Sequence, residues 1–557
     1  SSLIFYSLTI DNILNIIVLL ILAGVSIALL TGDNGILKNA KTSKEETIIG
    51  EEKEKVKLSQ NADLISNNGK NNTKEGLQNE LDSIEGTNKT KVIKDGKDSY
   101  IVSFLDTNRN YRIKYGKEIE GPIEIEVTED SQAGDITKGN SLDGSKEKPY
   151  QINCIEDLVD FSNRSKKDGF TGKEIIVTRN LDFLSELSYE NYQTTKYGDI
   201  NKDGKTSELM EELSTGIGFN PISAFEGIFD GKNNKISNLY INSNTLNTGL
   251  FYKITNATVK NLILHGEIFS SNAISWGTNI GGITGCAFGK CYFYNLEYNG
   301  RIGKGEPSSK NAAGGIVGLI SRSSSIIEIN QCRNNSNIAD SAYIGGIVGK
   351  SEGNIKIINC YNTGVLRLKI RGKPIEGDYL TIGGIISCPG GSAVSGDTNT
   401  IFNIENCFNT GTIINEVKNT YNASGGILGS SISHNNVNIT NCYNIGETSS
   451  KYTFITPFSG GIQGGFWYNQ YKSNISNCYY DGAKSDRSVG GATKEYATKL
   501  TTSQMQGKEK IENQDGTSST LVELLNKEID NNSTGTDTSN WLRWKEGENG
   551  YPTFDGM

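Results

Sequence analysis

Two short patterns recur through the middle of the chain, and they constrain its fold more than any other feature. A Gly-Gly-Ile element is followed by an element in which Asn or Gln precedes Cys. Repeats with a period of about 20 to 50 residues predict a solenoid or array rather than one globular core. The Gly-Gly-Ile copies begin at Gly281, Gly314, Gly345, Gly383, Gly425 and Gly460, and the cysteines of the second element are Cys332, Cys360, Cys407, Cys442 and Cys478.

The segment 355–362 shows how one copy would fold. In a regular strand Ile355 and Ile357 point inward and Lys356 points outward. Strict alternation would then carry Cys360 outward as well. We expect a bend at Asn359 instead, because Asn tolerates left-handed backbone geometry and the bend returns Cys360 to the interior. The repeat therefore predicts a β-helix with stacked Asn amides and a column of buried cysteines.

The placement of the nine cysteines argues against a disulfide framework. We expect a reduced column, and oxidation of vertical neighbours is the alternative. Cys286 and Cys291 lie outside the strict register, so they are the pair predicted for a disulfide. The spacings are those of a repeat and contain no CxxC pair, which argues against a metal role for the cysteines.

The repeated segments resemble the GLUG-motif repeats of bacterial surface proteins, and the resemblance extends over most of the body. It implies a helix over 154–165 that caps the open end of the solenoid. At the far end it implies a short helix near 521–525 and a closing strand over 550–554. Besides the repeats, the segments that carry the resemblance are 144–152, 225–231, 236–239, 249–251, 541–544 and 550–554.

Composition narrows the class of protein. Gly accounts for 64 of 557 residues and 35% are hydrophobic, a mixture that suits β-rich, turn-rich structure. The net charge of −9, without a concentrated basic segment, excludes nucleic acid as the expected partner. His265 and His434 are the two histidines, so a histidine zinc site or a Ser-His-Asp triad is not expected. Acidic residues in the repeats are scattered singly, so we predict no enzyme activity.

A nearly unbroken apolar run over 16–30 stands before this body. It is long enough to help form a membrane helix, or a helix buried among copies of itself. No Lys or Arg precedes Lys38, which argues against a secretory signal peptide, and we expect a processed chain that keeps its helix. A charged helical pattern over 36–59 and an amphipathic stretch over 77–84 come next. Three β-like runs then follow, at 90–93, 100–105 and 111–115.

This layout resembles the type IV pilins and pseudopilins, in particular those of low-GC Gram-positive bacteria, on residues 17–27 and 31–37. When 21–23 is laid on the apolar triplet of that family, Ser7 falls at the mature N-terminus and Asp11 at the acidic position. The resemblance implies that the Asp11 carboxylate pairs with the terminal amine of a neighbouring subunit; a place near a membrane surface is the alternative. Tyr6 stands where the family has Gly, which leaves the processing site open. The predicted assembly residues are Asp11, Ile16, Ile17, Leu19, Leu20, Ile21, Leu22 and Ala23.

One loop has the pattern of an ion site. Asp199, Asn201 and Asp203 alternate before a Gly, which resembles the first half of a calcium loop of the EF-hand or dockerin kind. Met210 stands where a bidentate Glu would close the shell, so Glu208 or Glu211 would have to replace it. A plain turn is the alternative. Calcium is the one cofactor that the sequence suggests, and the predicted fold and function require no cofactor.

The predicted fold is mainly β: a long N-terminal α-helix with a small pilin-like antiparallel β domain, followed by a β-helix with capping elements. The predicted segments are 1–31 (hydrophobic membrane or filament-core helix), 32–70 (charged helix continuation), 71–130 (small α+β domain), 131–248 (N-terminal cap and first coils), 249–490 (repeats) and 491–557 (C-terminal cap).

The predicted function is a structural subunit of an extracellular type IV pilus-like filament. The chain would enter the membrane before assembly, form a helical homo-oligomer and display the β-helix for adhesion to a glycan or a cell-surface receptor. Four aromatic residues would stack on sugars if exposed, namely Tyr361, Phe408, Tyr443 and Trp467, whereas cross-strand packing is the favoured interpretation. The alternatives are a membrane-anchored monomeric adhesin and, ranked lower, a β-helix enzyme that degrades polysaccharides.

Overall fold

A computed structural model describes the chain from Ile36 to Met557, and the chain divides into two compact units, 1–129 and 130–557. The described residues leave gaps at 68, 70–71, 87–88, 95–98, 105–106, 108, 124–133, 184–217, 271–276, 305–310, 323, 340, 370–378, 390–399, 418–420, 432–435, 451–457 and 467–472. Each unit has a hydrophobic core of its own.

The first unit packs two helices on a small antiparallel sheet. The helices are α1 (Ile36–Ser66) and α2 (Lys74–Glu85), and the strands, in sheet order, are β1 (Thr90–Lys94), β2 (Ser99–Phe104), β3 (Arg109–Lys114) and β4 (Glu120–Ile123). Val56 of α1 and Leu81 of α2 pack on Val102 and Tyr111 of the sheet. Helices α1 and α2 and strands β1 to β3 confirm the helical and β-like runs predicted from the sequence. Strand β4 was not predicted, because it contains Pro122, a residue that strands accept at the edge of a sheet.

The second unit begins with a cap. Strands β5 (Tyr150–Ile152), β6 (Glu174–Val177) and β7 (Leu181–Asp182) flank helix α3 (Ile155–Arg164), which confirms the helix predicted over 154–165. Lys138 and Asp157 form an ion pair of 2.7 Å inside the cap, with side chains 2% and 0% exposed. Asp157 also accepts the backbone N–H of Asn153. These bonds hold the cap together where no neighbouring coil exists.

From β8 onward the chain winds into coils whose strands stack in parallel, which confirms the predicted β-helix. These strands are β8 (Ile228–Ser243), β9 (Asn247–Thr248), β10 (Phe251–Thr255), β11 (Thr258–Ser270), β12 (Asn279–Gly281), β13 (Thr284–Phe288), β14 (Lys290–Lys304), β15 (Ala312–Gly314), β16 (Val317–Ile320), β17 (Ile326–Asn330), β18 (Arg333–Asn334), β19 (Asn337–Ala339), β20 (Tyr343–Gly345), β21 (Val348–Ser351), β22 (Asn354–Ile358), β23 (Tyr361–Asn362), β24 (Leu366–Leu368), β25 (Tyr379–Gly383), β26 (Ile386–Pro389), β27 (Ile401–Glu405), β28 (Phe408–Asn409), β29 (Ile413–Asn415), β30 (Tyr421–Gly425), β31 (Leu428–Ser431), β32 (Asn436–Thr440), β33 (Tyr443–Asn444), β34 (Thr448–Ser450), β35 (Ser459–Gly460), β36 (Gln463–Phe466), β37 (Asn474–Ser476), β38 (Tyr479–Asp481) and β39 (Thr498–Leu500).

Each coil contributes to three parallel sheets. The first sheet has the order β9-β12-β15-β20-β25-β30-β35, and the second has the order β10-β13-β16-β21-β26-β31-β36. The third sheet contains the remaining strands, and its long strand β14 pairs with three short strands, β17, β18 and β19. The breaks between the short strands come from backbone bends. At the predicted bend Asn359 has a φ of 52°, which confirms its left-handed geometry.

The two repeated sequence patterns meet inside the coil. A Cβ atom built on Gly346, the second Gly of its element, would lie 2.6 Å from Cβ of Asn362, which stands two residues after Cys360. Only glycine leaves room for this approach. The same contact recurs in the pairs Gly282–Tyr298, Gly315–Asn334, Gly384–Asn409, Gly426–Asn444 and Gly461–Tyr480.

The C-terminal region closes the second unit. Strand β39 pairs with β38 as the last rung of the solenoid. It is followed by α4 (Thr502–Met505), β40 (Ile511–Glu512), β41 (Ser518–Ser519), α5 (Leu521–Asn531), β42 (Trp544–Glu546) and β43 (Pro552–Phe554). Helix α5 confirms the predicted short helix. The strand predicted to close the solenoid at 550–554 instead pairs antiparallel with β42, so β39 takes that place.

Candidate functional site

The predicted assembly residues Asp11, Ile16, Ile17, Leu19, Leu20, Ile21, Leu22 and Ala23 and the predicted calcium ligands Asp199, Asn201, Asp203 and Glu208 lie outside the described residues, and they stay predictions. Within the described part of the chain, no helix is long and apolar enough to cross a membrane. The same part contains no group of three or more His, Cys, Asp or Glu side chains placed to hold a metal ion.

The repeat cysteines form the buried column that the sequence predicts. The backbone N–H of Cys332 donates to Sγ of Cys360 at 3.4 Å, and Cys360 and Cys407 repeat this bond to the next coil. Each thiol also lies near a carbonyl of its own coil, as Cys407 does at 3.0 Å from the Glu405 oxygen. Burial raises the pKa of Cys407, so its neutral thiol is favoured.

Cys286 and Cys291, the pair predicted for a disulfide, are free thiols in this structure. Cys291 belongs to the solenoid core, whereas Cys286 alternates with the core residue Ala287 on strand β13. Successive side chains of a strand point to opposite faces, so Cys286 points away from the core on β13, whereas Cys291 points into the core from β14. Burial raises the pKa of Cys286 to about 11.

The bend residues form an amide ladder between the short strands of the third sheet. Nδ2 of Asn406 donates to Oδ1 of Asn359 at 2.8 Å, and Asn441 donates to Asn406 at 2.7 Å. The second N–H of these amides binds the C-terminal region: Asn359 donates to the carbonyl of Asn540 at 2.8 Å, and Asn406 to that of Leu542 at 2.9 Å. The ladder therefore binds a segment of extended chain along the side of the solenoid.

An aromatic column follows the amide ladder two residues later in each coil. The rings of Tyr361 and Phe408 stack at 4.6 Å, and those of Phe408 and Tyr443 stack at 5.1 Å. Trp544 and Phe554 of the C-terminal region cover this column, with centroids 5.7 and 5.3 Å from that of Phe408. Phe408 is 4% exposed and Tyr443 is 0% exposed. Phe408 and Tyr443 therefore pack within the protein, as the favoured interpretation expected, whereas Tyr361 is half-buried and Trp467 lies outside the described residues.

In the coils before Tyr361, charged side chains occupy the positions of this column. Arg333 Nε lies 2.5 Å from the Glu297 carboxylate, and Arg301 lies 3.5 Å from Glu267 on the neighbouring column. Nδ2 of Asn299 also donates to Glu297, at 2.8 Å. Burial raises the pKa of Glu267 to about 7, and Arg301 lowers it in part. Each carboxylate is held by the arginine of the next coil, an arrangement suited to fixing adjacent coils.

These carboxylates are scattered singly in the sequence, and their pairing with arginines was not predicted. A signal was available, because Glu297, Arg333 and Tyr361 each stand two residues after a bend residue of the ladder. Counting from the bend would have placed them in one column. The separations between successive repeat cysteines, which are 28, 47, 35 and 36 residues, conceal this register in a plain reading of the chain.

Comparison with family models found a motif in the repeated region. The family model described as the GLUG motif matches residues 340–367, a segment that runs from before β20 into β24. A crystal structure from Bacteroides ovatus, provisionally named an immunoglobulin A1 protease, is similar with 17% identity and a TM-score of 0.38, over 74% of this chain and 94% of that chain. No curated protein matches the chain. The chain thus contains a GLUG motif within one coil of a β-rich solenoid.

Proposed function

We propose that this protein is the structural subunit of an extracellular type IV pilus-like filament that displays a GLUG-containing solenoid for adhesion. The apolar segment 16–30 would pack with identical helices, after a stage in the membrane, and bury its stripe through helical repetition. The observation that carries the proposal is this apolar run placed directly before a long charged helix.

The first unit supports this proposal through its layout. Helix α1 extends for 31 residues and lies on the antiparallel sheet. Glu52 of α1 is 3% exposed and accepts hydrogen bonds from Thr107 at 2.6 Å and from Tyr111 at 2.5 Å. A buried carboxylate with several donors fixes the helix on the sheet. Such a rigid junction suits a subunit in which one helix both assembles and carries a folded domain.

The solenoid is suited to display. Its first end lies beneath α3 and its last rung is β39, which is followed by α4. The cap at the first end hides an open strand edge through which a solenoid would otherwise pair with other chains. The Glu–Arg pairs and the covered aromatic column favour a structural role for these residues over catalysis.

Electron microscopy of sheared surface material from producing cells tests the proposal. We expect filaments from the natural chain and none from Leu20→Asp, because a carboxylate would enter the packed apolar stripe. Leu58→Asp is the matched control, since Leu58 of α1 is 53% exposed, and it should leave filaments intact. Asp11→Ala should lower filament yield if the carboxylate pairs with a subunit amine.

Detergent-soluble monomers as the sole product of the natural chain would overturn the proposal and favour the membrane-anchored adhesin. A normal filament yield from Leu20→Asp would remove the apolar run from the assembly contact. Normal yield from Asp11→Ala would exclude the carboxylate from the mechanism.

A further inference from the structure

Cations from three successive coils converge at one corner of the solenoid, where the second sheet turns into the third. Lys253 lies on β10, Lys290 begins β14, and Arg322 lies in the turn after β16. The corner also contains the rings of Phe288 and Tyr292. These five residues are the cationic corner. Such a concentration contrasts with the net charge of −9 of the whole chain.

Each cation of the corner lies against an aromatic ring. Nζ of Lys253 is 5.6 Å from the centroid of the Phe288 ring, and the guanidinium carbon of Arg322 is 5.1 Å from the same centroid. Nζ of Lys290 is 5.7 Å from the Tyr292 ring. Contacts of this length hold the cations in place without neutralising their charge.

The nearby carboxylate is engaged elsewhere. Glu352 pairs with Lys350 at 3.0 Å and accepts the backbone N–H of Arg322 at 3.4 Å. Across the described part of the chain, no carboxylate lies within salt-bridge distance of the side-chain cations of Lys253, Lys290 or Arg322. The corner therefore presents three cations without an ion pair beside partly exposed rings, and Glu328 of the next coil stands opposite Tyr292 in the strand register.

We propose that the cationic corner binds an acidic polysaccharide, a chain of carboxylated sugars. Sugar rings present C–H groups that pack on aromatic faces, and Tyr292 and the nearby Tyr294 are 39% and 41% exposed. Neighbouring coils are about 4.8 Å apart, so cations from successive coils form a row that a repeating anionic polymer can follow. Three cations on an acidic protein are too few for the broad basic face that duplex nucleic acid requires.

Binding of the full chain to immobilised polygalacturonate, a carboxylated polysaccharide, tests this site. We expect saturable binding that weakens as salt rises, because exposed charges are screened. The variant K253Q/K290Q/R322Q should lose up to about tenfold in affinity, since each lost contact contributes modestly. Tyr292→Ala should weaken binding while leaving its salt dependence unchanged, because it removes the ring and no charge.

A matched control removes three exposed lysines of the C-terminal region, as K508Q/K510Q/K527Q. It should bind as the natural chain does, and neutral dextran should not bind. The proposal is overturned if polygalacturonate does not bind saturably, or if the control and the corner variant lose affinity equally. Equal affinity for DNA or for anionic lipid vesicles would also overturn it, since those ligands share only the charge.

This site goes beyond the proposed filament and does not depend on it. The corner variant should form filaments normally, so filament counts and polysaccharide affinity report separate properties. Loss of filaments with intact binding would contradict only the filament proposal, and the reverse result would contradict only the site.

Discussion

The first coils of the solenoid (β8–β14) and its repeated coils (β15–β38) fill the same kind of interior with different side chains. Beneath α3, Phe161 packs on Phe170, Phe225, Phe229 and Phe251, with ring centroids 4.9 to 6.5 Å apart. In the repeated coils, the interior contains columns in which cysteines stack on cysteines and asparagines on asparagines.

The difference shows at which positions a repeated sequence can specify the structure. A side chain in the middle of a stack has a coil on either side, so one choice of residue satisfies every copy. The first coil has a neighbour on one side only and must close against a helix. Large rings in several orientations fill that irregular space, and no repeated position can specify them.

The largest effect is expected from Phe161→Ala, which empties the centre of the aromatic cluster. Phe161 is fully buried, so its truncation should lower the free energy of unfolding by about 4 kcal/mol through lost transfer energy and a cavity. Denaturant unfolding, with hydrogen exchange of β8 and of β27, would measure it. Protection should fall first in β8. Val159→Ala, on a half-buried face of the same helix, is the control, and an equally small loss in both variants would contradict the role of the cluster.

Glycine substitutions compare the two regions directly. Gly346→Ala places its Cβ 2.6 Å from Cβ of Asn362 in a repeated coil, whereas Gly169→Ala near the first coils has no neighbour closer than 3.6 Å. We expect the first variant to lose about 3 kcal/mol of stability through overpacking, and the second to change by less than about 0.5 kcal/mol. Thermal unfolding of both variants is the measurement. Similar melting temperatures would show that the repeated coils can separate to admit a methyl group.

A smaller, pH-dependent effect is expected from the first coils, where Glu267 has a pKa raised by burial to about 7 from 4.5. Because the folded state binds this proton more tightly than the unfolded state, the contribution of Glu267 to stability is greatest below pH 4.5 and is lost as the pH rises through 7. Glu267→Gln should remove this fall and gain about 2 kcal/mol at pH 8. Melting temperatures at pH 5 and pH 8 would test it.

Glu546→Gln removes an exposed carboxylate from the C-terminal region and serves as the control for that experiment. Its melting temperatures should follow those of the natural chain at both pH values. If Glu267→Gln behaves like this control, the ion pair with Arg301 outweighs the cost of burial.

Much of the repeated region could be predicted from the sequence. The inward Ile residues, the bend at Asn359 and the buried Cys360 all follow from strand alternation interrupted by one left-handed residue. The cap helix was also predicted. These features depend on residues within one coil, where spacing along the chain translates directly into position.

Other features could not be predicted because they join different coils. A disulfide was predicted for Cys286 and Cys291 because both lie outside the strict register of the repeat, but Cys291 lies in the core and Cys286 alternates with the core residue Ala287. Arg333 and Glu297 are 36 residues apart in the sequence. Trp544 and its hydrogen-bond partner Asn406 are more than 100 positions apart. Loop lengths between coils decide such contacts, and no local pattern records them.

By itself, the sequence determined the columns of this protein: which residues point inward and where the chain bends at Asn359. Stacking repeats one geometry, so a recurring residue reports its own neighbours. Only the tertiary structure decided what lies across the columns, namely the Glu–Arg pairs, the covered aromatic rings and the cationic corner. Those contacts depend on how far each loop carries the chain before the next coil begins, and this distance varies from coil to coil.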